Sequence, residues 1–70
     1  MRLSIRNQLK GTITDVEFGA VTAIVKVRLD GGDQIVTASI TKASAEELGL
    51  EAGKQATVFI KSTEVAVGVE

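Results

Sequence analysis

Val21-Thr22-Ala23-Ile24-Val25-Lys26-Val27-Arg28-Leu29-Asp30-Gly31-Gly32-Asp33 carries the pattern that decides the fold. The odd positions from Val21 to Leu29 are all apolar: Val21, Ala23, Val25, Val27 and Leu29. The even positions Thr22, Lys26 and Arg28 are polar or charged, with Ile24 the exception. A period of two is the mark of a strand, because successive side chains leave opposite faces of the pleat. Ile24 on the second face points to partial cover there too, of the kind a neighbouring subunit supplies. The adjacent glycines Gly31 and Gly32 read as a hairpin turn, and Gln34 to Ile40 as the returning strand.

Toward the amino end, Gln8 to Phe18 is also extended. Its apolar positions are Leu9 and Ile13, then Val16 and Phe18. The change of parity predicts a bulge or bend near Asp15. Gly11 removes a side chain where the strand can curl sharply, as the long first strand of a small barrel must. Toward the carboxyl end, Ser44-Ala45-Glu46-Glu47 matches a capping box with Ser44 as the N-cap. Thr41 is the alternative cap, with the first turn at Lys42. Glu46 and Glu47 suit the helix dipole, and Gly49 is a natural C′ residue, so the helix is about two turns long. Gly53 marks a turn. Gln55 to Lys61 alternates again, with Ala56, Val58 and Ile60 on one face, and Val65, Val67 and Val69 alternate in a last strand. Both phenylalanines stand among alternating apolar residues and are expected in the core. The order predicts an all-β fold: a five-stranded OB-like barrel with one short helix between strands 3 and 4. Another small barrel or an open meander is the alternative.

At 70 residues the chain is expected to form a single domain, 1–70. So short a chain is marginal alone. It has no Cys and no His, so neither a disulfide nor a structural zinc can hold it. Association with further copies is the remaining route, and a composition rich in Val, Ala and Ile suits a shared core. The formal net charge is −1, without blocks of like charge, which gives no long-range field to attract a polyanion. No stretch approaches the roughly 18 apolar residues of a membrane span. Met1-Arg2-Leu3-Ser4 has no apolar signal region, and a cytoplasmic location is the expectation.

Lack of His and Cys removes the commonest general base and the thiol nucleophile, so no enzymatic activity is expected. Asp15 and Glu17 read as solvated carboxylates on a rim, and no bare cation is expected to bind. Nucleic-acid binding, the usual suspicion for an OB barrel, wants exposed aromatics and a basic groove. Here there are two Phe, no Tyr and no Trp. A tetrahedral dianion needs only several hydrogen-bond donors and partial charge compensation. Suitable groups occur in three places: Ser4, Arg6 and Asn7; Thr41 and Ser44 at the helix start; and Lys61, Ser62 and Thr63 after the fourth strand.

The run Ser4-Ile5-Arg6-Asn7-Gln8-Leu9-Lys10-Gly11 resembles the S-A-R-N-x-L-x-G opening of the molbindins, the stand-alone molybdate-binding Mop domains. The resemblance extends through Gly19-Ala20-Val21-Thr22-Ala23, Asp30-Gly31-Gly32, Ile40-Thr41-Lys42-Ala43-Ser44, Glu47-Leu48-Gly49-Leu50, Gly53 and Ile60-Lys61-Ser62-Thr63-Glu64-Val65, essentially the whole chain. It implies a protein that stores molybdate or tungstate, assembled as a homohexamer (a trimer of dimers) with oxyanions at the subunit interfaces. Similar domains occur in larger molybdate-dependent regulators and transporter ATPases, and the lack of an attached domain here points to the free-standing form. The resemblance assigns one class of site to Ser4, Arg6, Thr41, Ser44, Lys61 and Ser62, with Thr41 and Ser44 from the neighbouring subunit. A second class, near a threefold axis, falls to Asn7 and to Gly19, Ala20, Val21 and Thr22. Ile5 departs from the family's Ala beside the site. The other reading is a small OB-fold interaction or nucleic-acid-binding module without bound oxyanion. The implied partners are the oxyanion and further copies of the chain, not nucleic acid or membrane.

Overall fold

In the computed structural model, which describes residues 1–70, Asn7–Phe18 forms a single strand, β1, that pairs along both its edges. Its first half, Asn7 to Thr12, runs antiparallel to β4 (Gln55–Ile60), and Gly11 to Phe18 runs antiparallel to β2 (Thr22–Leu29). β3 (Ile35–Thr41) follows the hairpin and pairs with β2, giving the sheet order β3-β2-β1-β4. Gly11 and Thr12 are the residues flanked on both sides. At Gly11 the neighbouring strand is so close that a Cβ would lie 2.4 Å from the Arg28 carbonyl oxygen and 2.7 Å from Val27 Cγ1. Glycine is the residue that lets β1 curl against β2 there.

The expected bulge is present. The register with β2 shifts between Ile13 and Asp15, leaving Thr14 as the extra residue, and Thr14 Oγ1 donates to the Lys26 carbonyl at 3.3 Å. The shift restores parity, so Ile13 pairs with Val27, Val16 with Val25 and Phe18 with Ala23. All therefore belong to one inward row. On the opposite face Ile24 is half-buried within the single chain.

The short helix α1 (Lys42–Leu48) packs over β2 and β3. Thr41, not Ser44, is its N-cap: Thr41 keeps the extended backbone of β3 and its Oγ1 accepts from Ser44 N–H at 3.0 Å. The helix closes at Gly49 with φ of 65°, a left-handed conformation that favours glycine. Lys54 Nζ donates to the Gly49 carbonyl at 2.8 Å, satisfying a group the helix end leaves free. At seven residues this helix is too short to cross a membrane, and no other helix of the chain is long and apolar enough.

Two expectations fail. The fifth strand does not form. After β4 the chain makes a 3-10 turn, Ser62–Glu64, and Val65, Val67 and Val69 then stand 50%, 90% and 94% exposed. The alternation is present, but a strand needs an edge to pair with, and this segment meets none in its own chain. The fold is thus a curled four-stranded sheet with a short helix, not a closed five-stranded barrel. The outer edges of β3 and β4 stay unpaired, and an apolar groove of about 330 Å³ lies between them, floored by Ile13, Val25 and Val27 and walled by Ile40, Ala56 and Val58. The second failure is Phe18, which is 47% exposed. It shares the inward row but occupies the last position of β1, beyond the cover of the core. The fully buried apolar side chains are few: Ile13, Ala23, Val25, Val27 and Ala45.

Gly11→Ala is expected to destabilise the protein by about 1–3 kcal/mol, because the new methyl meets backbone rather than a movable side chain. Urea unfolding at fixed protein concentration checks this, and a change within about 0.5 kcal/mol would contradict the close approach. Thr41→Ala should cost about 1 kcal/mol in the same experiment through loss of the cap. An unchanged midpoint would show that the cap carries no stability.

Candidate oxyanion-binding site

Antiparallel pairing of Asn7 with Ile60 sets the start of β1 beside the end of β4. Two segments far apart in sequence thereby face each other: Ser4-Ile5-Arg6, just before β1, and Lys61-Ser62-Thr63, just after β4. Together they line a cleft of about 190 Å³. Its polar groups are two basic side chains, Arg6 and Lys61, and three hydroxyls, Ser4, Ser62 and Thr63. No carboxylate lines it. Side-chain hydrogen bonds within the chain are made by Asn7, Gln8, Thr14, Thr41, Ser44 and Lys54, so the donors of the cleft are uncommitted. Ile5 is the one apolar lining residue and is half-buried among exposed neighbours.

Two cations and three hydroxyls around one small space compensate a double negative charge and supply several donors to tetrahedral oxygens. Arg6 offers a planar fork of N–H groups and Lys61 a compact point charge. Nothing in the cleft resembles a nucleophile with a base beside it. The chain contains no cluster of three or more acidic, His or Cys side chains that could hold a bare metal ion.

Of the residues singled out in the sequence, Ser4, Arg6, Lys61 and Ser62 meet in this cleft. Thr41 and Ser44 do not. They stand at the other end of the sheet, where Thr22 pairs with Thr41 and Lys42 N–H donates to the Val21 carbonyl at 2.9 Å. There Thr41 Oγ1 donates to Ser44 Oγ at 2.7 Å. A second, shallower hollow of about 400 Å³ is lined by Ala20, Val21, Thr41, Lys42, Ala43 and Glu46. Its Lys42 and Glu46 cancel in formal charge, so it suits a dianion less well than the first cleft. Gly19 N–H closes the adjoining turn on the Thr22 carbonyl at 2.8 Å. Asn7 does not reach Gly19, Ala20, Val21 and Thr22 within one chain, since it opens β1 and they follow its far end. Its Nδ2 donates instead to the Ile60 carbonyl at 3.0 Å. Thr63, outside the six residues the resemblance assigns, also lines the cleft. The pairing of Asn7 with Ile60 brings it there. Gln8, whose Nε2 donates to the Ile5 carbonyl at 2.8 Å, offered no signal.

Known proteins resemble this chain in both sequence and fold. The family described as TOBE domain matches residues 3–67. A Haemophilus influenzae protein named "Probable molybdenum-pterin-binding protein" is 46% identical over 70 residues, covering 100% of both chains. Among solved structures, MopII from Clostridium pasteurianum superposes with a TM-score of 0.90 at 38% identity, covering 97% of this chain and 100% of that one. The cytoplasmic molybdate-binding protein ModG, in a crystal form with molybdate bound, superposes with a TM-score of 0.93 at 44% identity, covering 100% of this chain and 49% of that one. With a family match over nearly its whole length and relatives of this identity and coverage, the chain belongs to the TOBE-domain family and, within it, to the Mop-type proteins.

Proposed function

We propose that this protein binds and stores molybdate and tungstate at interfaces between copies of itself, for molybdenum and tungsten homeostasis in the cytoplasm. One observation carries the reading: Arg6 and Lys61 converge with Ser4 and Ser62 on a cleft that contains no carboxylate. The relatives support it, since ModG was crystallised with molybdate bound and is itself cytoplasmic. The family relatives are named for molybdenum-pterin, but a pterin ring calls for an apolar or aromatic slot. The cleft has only Ile5 to offer, so the free oxyanion is the better fit. No catalytic role is proposed.

Four of the six proposed ligands come from one chain, which leaves the anion open on one side. Thr41 and Ser44 of a second copy complete the shell in this proposal, because the pair in the same chain lies at the far end of the sheet. A second oxyanion position is proposed around Gly19, Ala20, Val21 and Thr22, with Asn7 contributed by another copy. The assembly proposed is a homohexamer, a trimer of dimers. Its support is the unfinished sheet: an apolar groove between two free strand edges, and an alternating valine segment with no partner in its own chain. A groove missing one strand and a strand missing a groove are complementary when two copies meet.

Calorimetric titration should show saturable binding of molybdate and tungstate, with sulfate and phosphate much weaker. Arg6→Ala should lose about 1.5–3 kcal/mol of molybdate affinity, the range for a hydrogen bond to a charged group. Equal affinity in wild type and variant would remove Arg6 from the site. Native mass measurement should give a hexamer, and Val67→Lys should break it into smaller species by placing a charge in a covered apolar groove. A wild-type monomer at micromolar concentration would contradict the assembly.

A further inference from the structure

Asn7 and Gln8 are adjacent amides whose side chains point to opposite tasks at the mouth of the cleft. Asn7 Nδ2 reaches across the sheet to the Ile60 carbonyl at 3.0 Å, fixing the peptide from which Lys61-Ser62-Thr63 departs. Gln8 Nε2 reaches back to the Ile5 carbonyl at 2.8 Å, fixing the Ile5–Arg6 peptide. Neither residue lines the cleft. We propose that Asn7 and Gln8 are positioning residues that hold the two walls of the cleft in their anion-binding arrangement before the anion arrives; this rests on the oxyanion reading above.

Three observations carry the inference. Ser4-Ile5-Arg6 lies outside any strand or helix, so no ladder of backbone hydrogen bonds orders it. An unordered wall would have to be fixed at the moment of binding, and that entropy subtracts from affinity. Next, Asn7 belongs by register to the inward row with Leu9, Gly11 and Ile13, and it is half-buried. A polar side chain at the end of an apolar row needs a partner, and the Ile60 carbonyl is that partner. Finally, the amide hydrogen aimed at Ile60 is committed to the wall of this cleft, and only the second Nδ2 hydrogen is left for the second oxyanion position proposed above.

The test compares wild type, Asn7→Ala and Gln8→Ala, each assembled as the full chain. Molybdate affinity is measured by calorimetry, and backbone 15N relaxation is measured without anion. Each substitution is expected to weaken molybdate binding about two- to tenfold, the effect of one neutral hydrogen bond. Each is also expected to raise the fast mobility of the wall it frees: residues 61–63 for Asn7→Ala, and residues 4–6 for Gln8→Ala. Because Gln8 is exposed, its variant keeps the wild-type melting temperature while losing affinity. Wild-type binding with unchanged variants overturns the positioning role and leaves the oxyanion reading intact. Lost affinity with unchanged wall mobility also overturns it, making Gln8 a direct ligand and leaving Asn7 to the second oxyanion position alone. Failure of the wild type to bind molybdate overturns both readings together.

Discussion

The structure depends on one strand serving two partners at once. β1 gives its first half to β4 and its second half to β2, and at Gly11 and Thr12 it is flanked by both. That overlap is possible because Gly11 lacks the side chain that would strike the Arg28 carbonyl, and because the bulge at Thr14 turns the strand while keeping its apolar row inward. The binding cleft is a consequence. Only when β1 begins where β4 ends do Ser4 and Arg6 arrive beside Lys61 and Ser62. Fold and site share a cause, so a substitution that prevents the curl removes the site without touching a ligand.

The same curl leaves the sheet incomplete. Five fully buried apolar side chains are a small core, and the groove between β3 and β4 adds apolar surface still open to water. With no disulfide and no structural metal, the chain has little else to draw on. The proposed association would answer two needs: it would cover the groove, and it would bring Thr41 and Ser44 of another copy to the cleft. On this account anion binding and assembly are linked, and each favours the other by mass action.

Much of this was legible in the residues. Alternation from Val21 to Leu29 marked β2, the parity change between Ile13 and Val16 located the bulge within a residue, and Gly49 marked the helix end. The choice between Thr41 and Ser44 as cap was not legible, because both are good caps and only the extended backbone of Thr41 separates them. The last strand was expected but does not form: periodicity reports which face a segment presents, not whether the segment reaches an edge of its own sheet. Phe18 was misread for a related reason: its row is right, but its burial depends on where the neighbouring strands stop. In the site, residue chemistry identified the donors, and the resemblance grouped them. That Ser4 and Arg6 share a cleft with Lys61 and Ser62 in one chain, while Thr41 and Ser44 stand apart from it, emerged only when the pairing of β1 with β4 was known.

The most direct test of the account is to locate the anion. Crystals of the assembled protein grown with tungstate, measured at a tungsten absorption edge, would place it by anomalous scattering. The expected peak lies within hydrogen-bonding distance of Ser4, Arg6, Lys61 and Ser62 of one copy and of Thr41 and Ser44 of another. A peak elsewhere, or a cleft without tungsten while the anion is bound in solution, would contradict it.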